Sequence, residues 1–116
     1  MSGPAELDTK ANRKKLRELA AVAHERELSA ELGKVEQEFA RWRRGEIDPF
    51  ELNDRIHRFH DGTSRDLYAT RGLRPHQAVA RAVAYRILDR TEIPSDILAA
   101  METVIGFFEQ PLLEAD

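Results

Sequence analysis

The feature that most constrains this chain is the spacing of apolar residues between Thr9 and Arg44, a stretch of 36 residues without a proline. Leu28, Leu32, Val35, Phe39 and Trp42 follow one another at steps of 4, 3, 4 and 3, the period of a helix packed lengthwise on another helix. Leu16, Leu19, Ala20 and Ala23 form a second stripe, displaced by about 120° around a helix of 3.6 residues per turn. The two halves of the segment therefore face different neighbours. Gly33 costs about 1 kcal/mol relative to alanine inside a helix, but the stripe keeps its phase across it and no cap residue follows. The pattern predicts one continuous helix over 9–44, capped by Asp8 or Thr9 and closed by Gly45 as a left-handed C′ residue.

The rest of the chain is punctuated in the same way. Asp48-Pro49-Phe50-Glu51 sets a cap residue, a proline at the first helical position and an acid at the third, which starts a helix over 49–61 that stops at Gly62. Thr63-Ser64-Arg65-Asp66 resembles a further capping box and predicts a short helix over 64–71. Helices over 75–90 and 94–109 follow Pro75 and Pro94. No stretch alternates β-branched and polar residues between turn signals, so the expected class is all-α, with about five helices in a bundle.

Leu, Ile, Val and Phe make up 28 of the 116 residues, above the roughly 20% below which chains tend to stay disordered. A single domain over 1–116 is expected, with 1–8 and 110–116 as flexible ends. There is no cysteine, so no disulfide framework, thiolate metal site or thiol nucleophile is available. Neither a signal peptide nor a membrane-spanning run of about 18 apolar residues can be read in the sequence, and the expected compartment is the cytoplasm. Fourteen Arg against four Lys, with fifteen Ala, suggests a GC-rich bacterial gene.

Length then bears on assembly. A helix of 36 residues spans about 54 Å, whereas a compact globule of this size is roughly 35 Å across. A protruding helix with apolar residues on two faces has to bury them on something, and a second copy about a twofold axis is the commonest solution. The competing arrangement breaks the segment at Gly33 into a hairpin within one chain. Leu16, Leu19, Leu28, Leu32, Val35, Phe39 and Trp42 are the residues expected to carry a homodimer interface. In the fourth helix Val79, Ala80, Val83, Ala84, Ile87 and Leu88 define a wide apolar arc, and in the fifth Ile97, Met101, Val104, Ile105 and Phe108 define a narrower one. Phe107, off that stripe, is read as ordinary core; as the alternative, it forms a contact surface with Leu112 and Leu113.

The residues with chemistry are few. Asp54, His57 and Asp61 share a helix face at i, i+3 and i+7, a donor set suited to a divalent metal. Asp54 with Arg58 and His57 with Asp61 are equally ordinary i, i+4 pairs, and His60 is read as a half-buried boundary residue beside the Leu52, Ile56, Phe59 stripe. The pair His60-Asp61 resembles the dipeptide of the HD-domain metal-dependent phosphohydrolases, which implies an upstream histidine and a downstream aspartate as further ligands, here His24 and Asp89 or Asp96. The acidic run Glu25 to Glu38 lacks the EExxE motif of MazG-like nucleotide pyrophosphohydrolases. His57 to Gly62 departs from the phosphoacceptor motif of histidine phosphotransfer domains at the lysine. No phosphate loop, nucleophile elbow or dinucleotide-binding turn occurs, and no cofactor is called for.

Charge is unevenly placed. Residues 1–44 carry +2, residues 45–90 carry +1 and residues 91–116 carry −6, for a total of −3. Lys10, Arg13, Lys14, Lys15 and Arg17 crowd the first turns of helix one, where the helix dipole disfavours cations, and the acidic fifth helix of the same or a partner subunit is an available source of compensating charge. Nucleic acid is the rival partner for that cluster and for Arg41, Arg43 and Arg44 around Trp42, and the short Gly62-Thr63 link would permit a helix-turn-helix. Against it stands an acidic chain with a pI of about 5.8. The reading that best accommodates these features is a small regulatory or accessory module that acts by protein association without catalysis. A metal-dependent hydrolase of nucleotides or phosphoesters at Asp54, His57, His60 and Asp61, and a nucleic-acid-binding regulator, are the alternatives.

Overall fold

The computed structural model describes residues 6–69 and 72–110, and these are helices joined by turns, with no strand among them. Helix α1 runs over Lys10–Arg43 without interruption at Gly33. Its start is capped by Thr9, whose hydroxyl accepts from the Asn12 N–H at 3.2 Å. At its end Gly45 adopts φ 77°, which lets its own N–H donate to the Trp42 carbonyl at 3.0 Å while the Glu46 N–H donates to the Arg41 carbonyl at 2.9 Å. That pair of bonds closes the last turn in the Schellman manner.

Helix α2, Pro49–Arg58, begins as its sequence dictates: Asp48 accepts from the Glu51 N–H at 2.7 Å and Pro49 occupies the first turn. The expected stop at Gly62 does not occur. A π-helical turn over Phe59–Thr63 leads directly into α3, Ser64–Ala69, and the Ser64 N–H reaches back five residues to the Phe59 carbonyl. The wider turn carries Gly62 inside a continuous helix, and tolerating a mid-helix glycine costs only about 1 kcal/mol. The described residues thus form four helical rods instead of five. No helix-turn-helix link exists at Gly62-Thr63, and the far end expected for the third helix, at 70–71, lies outside the described residues, as do 1–5 and 111–116 of the expected flexible ends.

Helix α4, Pro75–Ala84, ends six residues earlier than expected. Arg86 takes φ 64°, its N–H donates to Val83 at 3.1 Å, and the Ile87 N–H donates to Ala82 at 2.8 Å. This is the same closing motif as at Gly45, built on a residue that pays for its left-handed backbone. Ile87 and Leu88 still pack on the core, from the turn instead of from the helix. A 3-10 turn over Arg90–Glu92 follows, in which Asp89 accepts from both the N–H and the hydroxyl of Thr91 at 3.0 Å. Those bonds, the backbone one first, hold the Asp89 carboxyl below the usual carboxylate range. Helix α5 spans Ser95–Glu109.

The two closing motifs make opposite predictions. Gly45→Ala forces a Cβ into the left-handed region and is expected to cost about 1 kcal/mol. Arg86→Gly removes that strain and is expected to raise stability by less than about 1 kcal/mol, the gain being partly offset by a more flexible unfolded chain. Urea unfolding followed by far-UV circular dichroism reads both.

The chain divides into two compact units, one formed by the residues up to Ala23 with those from Leu73 onward, the other by His24–Gly72. In the first, Leu16, Leu19 and Ala23 of α1 meet Val79, Ala80, Ala82 and Val83 of α4 and Ile97, Met101 and Ile105 of α5 in one buried cluster, joined by Leu88 and Ile93. Alanines at 80 and 82 allow close helix approach. Phe108 packs against this cluster, whereas Phe107, expected in the core, is 68% exposed and touches the edge of Phe108 at 5.5 Å between ring centres. Its neighbours in the alternative reading, Leu112 and Leu113, lie outside the described residues. In the second unit the C-terminal half of α1 and the α2–α3 rod run antiparallel, and among the described residues Ile47, Leu52 and Leu67 are its buried apolar side chains. No described helix is long and apolar enough to cross a membrane.

Candidate functional site

The residues singled out by sequence fall into two groups. Leu16 and Leu19, 2% and 6% exposed, are taken up by the core of the first unit and are not at the surface for an interface. Leu28, Val35 and Phe39 are half-buried in the second unit, while Leu32 is 50% and Trp42 40% exposed. The α1 seam thus splits along its length. Its first stripe completes a core, and its second is only partly covered.

The covering is partial because the second unit has just two helical rods. Glu38 and Arg55 cross between them at 2.9 Å, and Arg55 is tied to Glu51 at 2.6 Å as well. The Glu51 hydrogen bond is the main reason the Arg55 pKa is raised, against the desolvation that opposes it. Arg55 Nε is buried and has no hydrogen-bond partner among the described residues. Where the rods diverge, an open groove of about 260 Å³ remains, with Val35, Leu52, Ile56 and Phe59 as its apolar lining. At its rim Glu31 and Lys34 pair with each other at 2.9 Å. Its other polar lining residues are Thr63, Arg58 and the Glu38–Arg55 pair, so its charged groups are largely engaged with one another. Its chemistry suits the burial of apolar side chains.

Asp54, His57, His60 and Asp61 are all exposed, including His60, which the sequence placed at a half-buried boundary. Among the described residues no group of three or more potential ligands is placed to hold a metal. The π turn is the physical reason. It spans Phe59–Thr63 and so takes in Asp61, which interrupts the regular i, i+7 repeat that an unbroken α-helix would carry from Asp54.

The basic groups also have specific fates. Arg41 and Arg44 both pair with Glu46, and Arg41 reaches Glu38 at 3.4 Å. Arg44, with Arg41 in support, holds the Glu46 carboxyl below its usual range. Around Trp42 this leaves Arg43 as the exposed cation with no pairing among the described residues. At the start of α1, Arg13 approaches Asp8 at 3.7 Å, and the first turn contains no acid. Within the chain, Glu102 and Glu109 of the acidic fifth helix pair with Arg90, at 2.6 and 3.4 Å, and not with that cluster.

Both stripes of the second unit, Leu28 to Trp42 and Leu52, Ile56, Phe59, are legible in the sequence, but not that Val35 of the first meets Leu52, Ile56 and Phe59 of the second around one groove. The signal was present in their shared spacing. Compared with models of known protein families, with curated proteins and with solved structures, the chain matches none.

Proposed function

We propose that this chain is a protein-association module without catalytic activity, working as a homodimer through its second unit. One observation carries the reading: the second unit, which among the described residues buries Ile47, Leu52 and Leu67, leaves Leu32, Trp42 and Ile56 between 36% and 50% exposed. Two helical rods have too little mutual surface to bury an amphipathic stripe on each. Two such pairs make a four-helix bundle, the commonest way for helical hairpins to complete a core. The distribution of polar groups agrees, since the groove presents paired charges and apolar side chains and no converging reactive groups.

Multi-angle light scattering on the full chain at micromolar concentration tests this directly. A mass twice the chain's 13.3 kDa is expected. A mass of one chain throughout that range would overturn the homodimer.

A further inference from the structure

Resting on that association reading, we infer that the second copy covers the side of the two-rod unit that carries Leu32 and Ile56, and leaves the ion-paired groove on the opposite side open to solvent. Val35 of α1 and Leu52 of α2 both line the groove where the rods meet, and every other position can be placed by its rotation from them at about 100° per residue. Leu32 falls about 60° to one side of Val35, and Ile56 falls about 40° from Leu52 in the same rotational sense. Antiparallel rods that face each other put equal senses of rotation on the same side of the pair. Leu32 and Ile56, 50% and 36% exposed, therefore share one face.

The other side is charged. Glu31, Lys34 and Glu38 lie about 40–100° from Val35 in the opposite sense, and Glu51, Arg55 and Arg58 lie about 60–120° from Leu52 in that same sense. The 2.9 Å ion pair between Glu38 and Arg55 shows that these two edges meet, and Glu31 with Lys34 at 2.9 Å and Glu51 with Arg55 at 2.6 Å close them further. A chain laid over this side would strip water from charges that already have partners. The groove beneath them, about 260 Å³, has room for a side chain or two and not for a helix, and Leu32 is not part of its lining.

On the Leu32 side the polar groups stand back. Glu25, Ser29, Glu36 and Arg43 are about 80–120° from Val35, farther round than Leu32, and Asn53 and His60 hold the corresponding positions on the other rod; all six are exposed. Leu28 and Phe39, half-buried, lie about 20–40° from Val35 and so inside that rim. Trp42 falls close to the contact line itself and belongs to neither side. An apolar strip within a polar rim is the anatomy of an association surface. Its size suits a second copy. From His24 to Arg43 α1 runs about 30 Å, the rod from Pro49 to Ala69 runs as far, and two rods about 10 Å apart present a face of roughly 600 Å². Two such faces bury about 1,200 Å² together, the lower end of stable specific interfaces. A rim with two acids and one base offers little field to a partner of single charge, whereas a twofold matches the face in length and width with nothing added.

The chain has no cysteine, so single thiols report on single positions. The test uses the full chain and the variants Leu32→Cys, Ile56→Cys and Arg58→Cys, each alkylated with N-ethylmaleimide at concentrations far above and far below the dimer dissociation constant. Comparing each variant with itself cancels differences in intrinsic thiol reactivity. Alkylation at positions 32 and 56 is expected to slow at least about fivefold in the dimer, because the centre of an interface excludes solvent, whereas at position 58 it changes less than about twofold. Loss of the dimer in Leu32→Cys or Ile56→Cys, with helical content kept and Arg58→Cys still dimeric by light scattering, supports the same face. If the unsubstituted chain is a dimer and position 58 is the protected one, or the three positions behave alike, this face is wrong and the association reading stands. An unsubstituted chain that is monomeric overturns both.

Discussion

Ile105→Ala is expected to lower the stability of the first unit by about 3 kcal/mol or more, the range of large-to-small changes at fully buried sites. Ile105 is 0% exposed, on the face of α5 that also carries Ile97 and Met101, both at 2% exposure or less. Three elements converge there, from α1, α4 and α5, so the lost side chain leaves a cavity that no single helix can close by shifting. Phe107→Ala, two residues along the same helix, removes a larger side chain that is 68% exposed and should change stability by no more than about 0.5 kcal/mol. Urea unfolding monitored by circular dichroism compares the two. A loss below about 1 kcal/mol for Ile105→Ala would mean that α5 is not seated on this core.

On the proposed homodimer, Leu32→Asp combined with Phe39→Asp is expected to abolish dimerisation, with the dissociation constant rising at least a hundredfold, as for two apolar anchors replaced by charges. Leu32 is half exposed in the single chain, so an aspartate there costs the isolated fold little. Phe39 is half-buried, and its replacement also strains the second unit. Leu32→Asp alone is therefore the cleaner reading: it should yield a helical monomer by light scattering and circular dichroism together. A Leu32→Asp protein that remains a dimer of unchanged affinity would remove α1 from the interface.

The helices themselves were legible because their signals are local. Thr9 and Asp48 cap, Pro49 and Pro75 open, and Gly45 closes, each through bonds to residues within a few positions. The two errors of boundary have local signals that were outweighed. Gly62 carries a stop signal, yet the continuing rod absorbs it in a π turn, because the residues beyond it, Leu67 above all, gain burial by staying helical. Conversely nothing in Tyr85-Arg86 announces a stop, and α4 ends there although a non-glycine residue must take φ 64°. Turning the chain there brings Leu88 into the core at 1% exposure, a gain that exceeds the roughly 1 kcal/mol of backbone strain.

The candidate site was legible in its parts and not in its arrangement. Spacing alone identified the stripe from Leu28 to Trp42, but burial of Leu16 and Leu19 within one chain and exposure of Leu32 depend on which elements return to cover them. Likewise the basic residues around Trp42 read as a patch until Glu46 and Glu38 were found to pair with Arg41 and Arg44, and the metal-like face at Asp54, His57 and Asp61 dissolved once the helix widened between them. By itself, then, the sequence determined the all-α class and the two differently facing stripes of the first segment, since these follow from period and from caps that act over one turn, whereas continuity through Gly33 came from the structure. Only the tertiary structure decided which stripe is spent on the chain's own core and which is left at the surface, because that depends on how many helices the rest of the chain brings back against each half of α1.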